Sequence, residues 1–290
     1  MHFPVSGVEC PIWLPPAVAF LVALLTTPAG VSGAFLLLPF QVSVLGFVTP
    51  AVTPTNLIYN TVAVPGGIYR YIRERRMVWP LAWAIIGGTL PGVFLGALIR
   101  IRYLPNPRYA KVFIGFVLLY LGIRLLLEAI LWGRSRSGKA PAHPLSRATV
   151  KFESRGEHFA FDPIALSAVA LFVGIIGGIY GIGGGAMIAP FAMTILRLPA
   201  RTVAGAALLG TLITSVAGVV FFEILGRTAL SAGPAVRPDW ALGLLFGAGG
   251  LFGSYFGARV QKHLPERWIR LGLGLLVTGL ALGYIIAFFA

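Results

Sequence analysis

Apolar residues in this chain gather into long runs that polar positions interrupt only briefly. Five such segments, a polar stretch and five further segments account for nearly all of it. The first runs from about Ala17 to Thr27. After the turn Pro28-Ala29-Gly30-Val31-Ser32-Gly33, the second continues to about Val48. The third covers Ala51 to Tyr69, the fourth Trp79 to Ile99 and the fifth Ala110 to Trp132. The second set starts near Pro163 and breaks at Gly181-Ile182-Gly183-Gly184-Gly185. It continues to Leu198, resumes from Thr202 to Leu225, and adds Trp240 to Val260 and Trp268 to Phe289. Runs near the length of a bilayer span, repeated along the whole chain, predict helices that cross a membrane. The expected fold is all-α, a polytopic membrane bundle. Residues 1–132 form a first transmembrane repeat, 133–162 a polar cytoplasmic linker and 163–290 a second repeat.

The two sets echo one another. Gly30, Gly33, Pro39 and Phe40 align without gaps on Gly181, Gly184, Pro190 and Phe191. Gly92-Val93-Phe94-Leu95-Gly96-Ala97 is echoed by Gly253-Ser254-Tyr255-Phe256-Gly257-Ala258, and Leu104-Pro105 by Leu264-Pro265. The first two segments of each half are short and meet at a glycine turn. Whether they both cross or dip in as a re-entrant pair, they return to their starting side. Each half then crosses an odd number of times, so the halves are expected to be inverted.

Charge supports that arrangement. With the third-to-fourth connection placed in the cytoplasm, Arg70, Arg73, Arg75 and Arg76 share a side with Arg134, Arg136, Lys139, Arg147, Lys151 and Arg155. Arg197, Arg201, Arg259, Lys262, Arg267 and Arg270 fall there too, so that side holds most of the 23 basic residues. This is the positive-inside bias, and it predicts both termini outside an inner membrane. Composition agrees: 57% of residues are hydrophobic, 11% are charged and the mean hydropathy is +0.87, against about a quarter charged in soluble domains. The net charge of +14 therefore reflects loops facing a membrane surface, not a nucleic-acid partner. One cysteine, Cys10, excludes an internal disulfide. Met1 to Pro16 lacks the basic start of a cleaved signal peptide and reads as a lead-in that Pro11, Pro15 and Pro16 keep out of the first span.

The glycine turns are the candidate chemistry. Glycine permits a close approach of backbone to a ligand, and unwound backbone at membrane depth must be buried or line a wet cavity. A helix starting after such a turn offers free N–H groups and a positive dipole end to an anion. Gly30, Ser32, Gly33 and Ala34 form one such turn; Gly181, Gly183, Gly184 and Gly185 form the other. Glycine for close helix packing is the competing explanation. The third segment is unusually polar, with Thr53, Thr55, Asn56, Tyr59, Asn60 and Thr61. Asn56 and Asn60 share a helix face at i, i+4, and Gln41 is a weaker candidate of the same type. Thr211, Thr214 and Ser215 follow the matching stretch Ala204 to Leu212 in the second half. Uncharged donors of this type suit an anion, though Thr and Ser also bond between helices. Arg124 and Glu128 are expected to pair near a span end, and Glu223 to lie at an interface. His2, His143, His158 and His263 all fall outside the spans, so no buried histidine or carboxylate relay is predicted. The glycine run lacks the Gly-Lys-Ser/Thr ending of a P-loop. No metal site, cofactor or catalytic set is expected.

Gly181 to Pro190, its weaker copy from Gly30 to Pro39, and Ala204-Gly205-Ala206-Ala207-Leu208-Leu209-Gly210-Thr211 resemble the TauE/SafE family of sulfite exporters and related permeases, over roughly Pro16 to Ala290. The resemblance implies a duplicated bundle of about eight spans that moves sulfite, organosulfonates or other small sulfur-containing anions. Here Ser32 and Ala34 stand where the second turn has Gly183 and Gly185. The expectation is a secondary transporter that binds its anion between the two turns and alternates access by rocking its halves. A passive anion channel of the same fold is the alternative, and an intramembrane enzyme lacks the residues it would need. Both a monomer and a homodimer are compatible with the pattern.

Overall fold

The structure is a computed structural model that describes residues 1–27, 31–75, 77–104, 106–130, 150–154, 157–185, 187–188, 200–227, 236–260 and 266–289. Among these residues the elements are, in order, β1 (His2–Phe3), β2 (Val8–Glu9), α1 (Leu14–Thr26), α2 (Ala34–Ser43), α3 (Val52–Ala63), α4 (Pro65–Arg73), α5 (Trp79–Arg102) and α6 (Pro107–Ile130). Then come β3 (Val150–Ser154), β4 (Glu157–Phe161), α7 (Pro163–Tyr180), α8 (Ala200–Leu225), α9 (Trp240–Val260) and α10 (Glu266–Phe289). Six helices among the described residues are long and apolar enough to cross a membrane, and they lie within α5 to α10. Large apolar side chains such as Leu95, Phe116, Phe172, Val220, Phe252 and Ile286 remain exposed on them, which is where a lipid solvent would sit. Trp79, Trp240 and Trp268, exposed at the first turns of α5, α9 and α10, stand where aromatic residues mark a membrane interface.

The sequence leaves open whether the first two segments cross. The structure makes α1 13 residues and α2 10 residues long. At 1.5 Å per residue they reach about 20 and 15 Å, short of the ~30 Å hydrocarbon core. The third segment, continuous to Tyr69 in the sequence pattern, is two helices. Pro65 has no N–H to continue α3 and starts α4 instead. Its counterpart α8 has no proline there and runs unbroken for 26 residues. Residues 133–162, read as a linker, include an antiparallel hairpin in which Val150 pairs with Phe161 and Ser154 with Glu157. Its alternating Val-Lys-Phe-Glu pattern is the period of a strand. A smaller hairpin precedes α1, and its Phe3 is fully buried.

The helix ends follow local chemistry. Asp162 caps α7 by accepting from the N–H groups of Ile164 (2.8 Å) and Ala165 (3.3 Å), with Pro163 at the first turn. The helix ends at Gly181, whose φ of +81° is left-handed and whose N–H reaches Gly177 O at 2.8 Å.

Packing between the two sets of helices comes in exchanged pairs. Helix α7 packs on α5 as α1 packs on α9, and α8 packs on α5 as α3 packs on α9; α6 meets α10 and α3 meets α8. The first two contacts use the same device. Gly88, Gly92 and Gly96, one turn apart on α5, let its backbone touch that of α7; Gly249, Gly253 and Gly257 on α9 do the same against α1. A Cβ on Gly96 would overlap the carbonyl oxygen of Ile175, and one on Gly253 that of Phe20. Such small-residue seams replace the hydrophobic driving force that lipid removes. At the centre lies α3, every residue of which from Val52 to Asn60 is buried.

Gly96→Val should therefore destabilise the folded protein by more than ~2 kcal/mol, the scale of overpacking a core. Gly87→Ala, whose added carbon meets open space, should be neutral. Thermal unfolding of the two purified variants in one detergent checks this.

Candidate functional site

The unwound backbone between α7 and residue 185 exposes carbonyls inside the bundle. Asparagines from α3 bind them. Asn56 Nδ2 donates to Gly181 O at 2.9 Å and to Ala34 O at 3.0 Å. One turn on, Asn60 Nδ2 donates to Ile182 O at 2.9 Å. Their carbonyl oxygens are used as well: Gln41 Nε2 donates to Asn56 Oδ1 at 3.2 Å, and Ser32 Oγ to Asn60 Oδ1 at 2.5 Å. Ser32 Oγ in turn accepts from the Ala34 N–H at 3.3 Å, at the start of α2. Tyr180, the last residue of α7, donates to Phe35 O at 2.7 Å. Asn56, Asn60 and Gln41 are fully buried. The i, i+4 face read from the sequence thus connects both turns to α3.

Candidate residues from the second half surround the second turn. Gly184 N–H donates to Thr214 Oγ1 at 3.0 Å. Thr214 Oγ1 itself donates to Gly210 O at 2.6 Å, and Thr211 donates to Ala207 O at 2.9 Å. Ser215 Oγ is buried without a hydrogen-bond partner, and a Cβ on Gly183 would lie 2.8 Å from it. Gly183 also has a left-handed φ of +75°. A side chain on Gly185 would overlap Ala207 O, and one on Gly184 would overlap Thr89. The second turn is therefore filled by protein.

The first turn borders open space. A cavity of about 50 Å³ is lined by Ser32 and Gly33 of the turn, Tyr59 of α3, Gly67 and Arg70 of α4, and Ser254 of α9, among others. Gly33 is glycine because a Cβ there would overlap the Tyr59 hydroxyl. Tyr59 is 1% exposed. Arg70 lies on the wall with its Nε 2.9 Å from Glu74 Oε1. Of the predicted set, Ser32 and Gly33 line this cavity, and Ala34 starts the helix beside it. Asn56 and Asn60 tie the turns together. Gly181, Gly183, Gly184, Gly185, Thr211, Thr214 and Ser215 cluster at the second turn. Gly30 lies outside the described residues. Sequence reasoning missed Arg70 and Ser254. Arg70 reads as one more loop cation, and the available signal was Pro65-Gly66-Gly67, which turns α4 so that Arg70 faces the first turn.

Over residues 16–284 the chain matches the family described as sulfite exporter TauE/SafE. It is also 23% identical over 230 residues to a probable membrane transporter protein, YunE, of Bacillus subtilis (strain 168), covering 77% of this chain and 76% of that one.

Replacing Asn56 by Leu removes the side-chain donor to the buried Gly181 carbonyl, at about 1–3 kcal/mol, and a second bond to Ala34 O at the head of α2. Asn56→Leu should unfold several degrees below the wild type. Thr61→Val, which loses only an in-helix bond to Leu57 O, should stay within about 0.5 kcal/mol. Chemical unfolding in detergent separates them.

Proposed function

The chain belongs to the TauE/SafE family of sulfite exporters, and on that footing we propose that it carries a small sulfur-containing anion, sulfite or an organosulfonate, across the cell membrane by secondary transport. Membership makes it a multi-pass membrane transporter. The observation that carries the finer reading is the cavity against the first glycine turn. Its walls bring together the start of a helix at Ser32 and Gly33, the Tyr59 hydroxyl and the Arg70 guanidinium. Helix-start N–H groups, a phenol and a guanidinium are all donors, and they suit a guest that only accepts.

In this reading the asparagines act through the turns. Their amide N–H groups are committed to the carbonyls of Ala34, Gly181 and Ile182, so they hold the backbone that meets the anion. The filled second turn is the same device in its closed form, with the buried Ser215 hydroxyl awaiting a partner. The exchanged packing of α1 on α9 and α7 on α5 supports two halves related by inversion. Rocking of those halves about α3 and α8 would open one turn as the other closes. The cavity's Arg70 end would face the cytoplasm, by the charge bias of the loops, and both termini would lie outside.

Sulfite flux into proteoliposomes tests the reading. The wild type should carry sulfite and show trans-acceleration, which a passive channel would not. Gly33→Val should cut flux at least tenfold while the protein still folds, as judged by its melting temperature. Undiminished flux in both Gly33→Val and Gly184→Val would remove the turns from the pathway.

A further inference from the structure

The cavity wall carries the ion pair Arg70–Glu74, and its geometry is incomplete in an informative way. Arg70 and Glu74 are one turn apart on and just after α4, with side chains 27% and 28% exposed. An arginine preceding its glutamate by four residues gains less from the helix than the reverse order, and a partly exposed pair adds little stability. The contact runs through Nε alone. The terminal Nη1 and Nη2 groups of Arg70 make no hydrogen bond among the described residues. That free edge is the fork with which a guanidinium binds two oxygens of an oxyanion.

The two serine hydroxyls of the cavity are already spent. Ser32 donates to Asn60 and Ser254 Oγ lies 3.0 Å from both Ala63 O and Leu251 O. The Tyr59 hydroxyl, buried beside Gly33, has no hydrogen bond to another described residue. The Arg70 fork and the Tyr59 hydroxyl, one of them cationic, are therefore unspent donors on the wall of the same space.

We propose that Arg70 is the anion-selecting cation of this cavity and Glu74 its built-in competitor. An oxyanion entering the cavity takes the Arg70 fork and the Tyr59 hydroxyl and displaces Glu74 from the guanidinium. When the anion leaves, Glu74 returns, so the arginine is never left unpaired in a low-dielectric wall. The exchange rejects cations, which Arg70 repels, and neutral solutes, which cannot compete with the carboxylate. This rests on the transport reading of the same cavity and adds the residues that choose its substrate.

The test is sulfite binding to the purified full-length protein in detergent at constant ionic strength, read by calorimetry, with chloride as the reference anion. Glu74→Gln should tighten sulfite binding by roughly two- to tenfold, because the competitor has lost its charge. Arg70→Gln should weaken it at least tenfold, and Arg70→Lys, which keeps the charge but not the fork, should fall between. The double variant should match Arg70→Gln, since in this exchange Glu74 acts on the anion through Arg70. A gain in affinity cannot come from misfolding, so Glu74→Gln decides the matter even if Arg70→Gln is poorly folded. Unchanged binding in Glu74→Gln, or a gain that persists without Arg70, overturns the exchange while leaving anion transport intact. A wild type that binds no sulfite overturns both.

Discussion

A peptide carbonyl inside a membrane must find a donor within the protein, because lipid offers none. The rest of this structure depends on how that requirement is met where helix α7 stops. Left alone, the carbonyls of Gly181 and Ile182 would cost several kcal/mol. Asn56 and Asn60 reach them from α3, and Asn56 reaches Ala34 O at the head of α2 in the same stroke. Two amides at helical spacing thereby fix two breaks in two separate stretches of chain. An interior of buried asparagine and threonine would be a weakness in a soluble core, yet here it joins the halves.

Everything around that junction is built from backbone proximity. Glycines at one-turn spacing bring α5 onto α7 and α9 onto α1, and neither contact tolerates a methyl group. Such seams are rigid along their length and leave room for change only where helices are broken. Among the described residues such breaks include residues 31–33, Val64 and Pro65, and the stretch after Tyr180. The open space in the bundle sits where two of them meet, between the first turn and α4. In the proposed transport reading a binding site and a hinge would coincide there for one reason: the same missing hydrogen bonds that make the chain bend leave donors to be used.

Much of this was legible in the sequence, and the parts that were not have physical causes. The starts of α5, α7 and α9 at Trp79, Pro163 and Trp240 follow from interfacial tryptophans and helix-opening prolines. The repeated glycine-proline motif marked both turns, and the i, i+4 asparagines marked the face that joins them. What was hidden was the direction of their hydrogen bonds. A buried amide looks the same in sequence whether it waits for a ligand or holds a carbonyl. The division of the third segment was visible in Pro65 but masked by apolar residues on both sides. The β3–β4 hairpin was obscured by a charged surrounding, although its alternation was present. Arg70 was hidden by abundance, as one arginine in a stretch with three others nearby.

Localising a bound anion tests the central claim most directly. Selenite is a heavier analogue of sulfite, and its anomalous scattering identifies it against protein and water. The account predicts one selenium peak in the cavity at the first turn, within contact of Gly33, the Tyr59 hydroxyl and the Arg70 guanidinium. A peak elsewhere in the bundle, with that cavity empty, would contradict it.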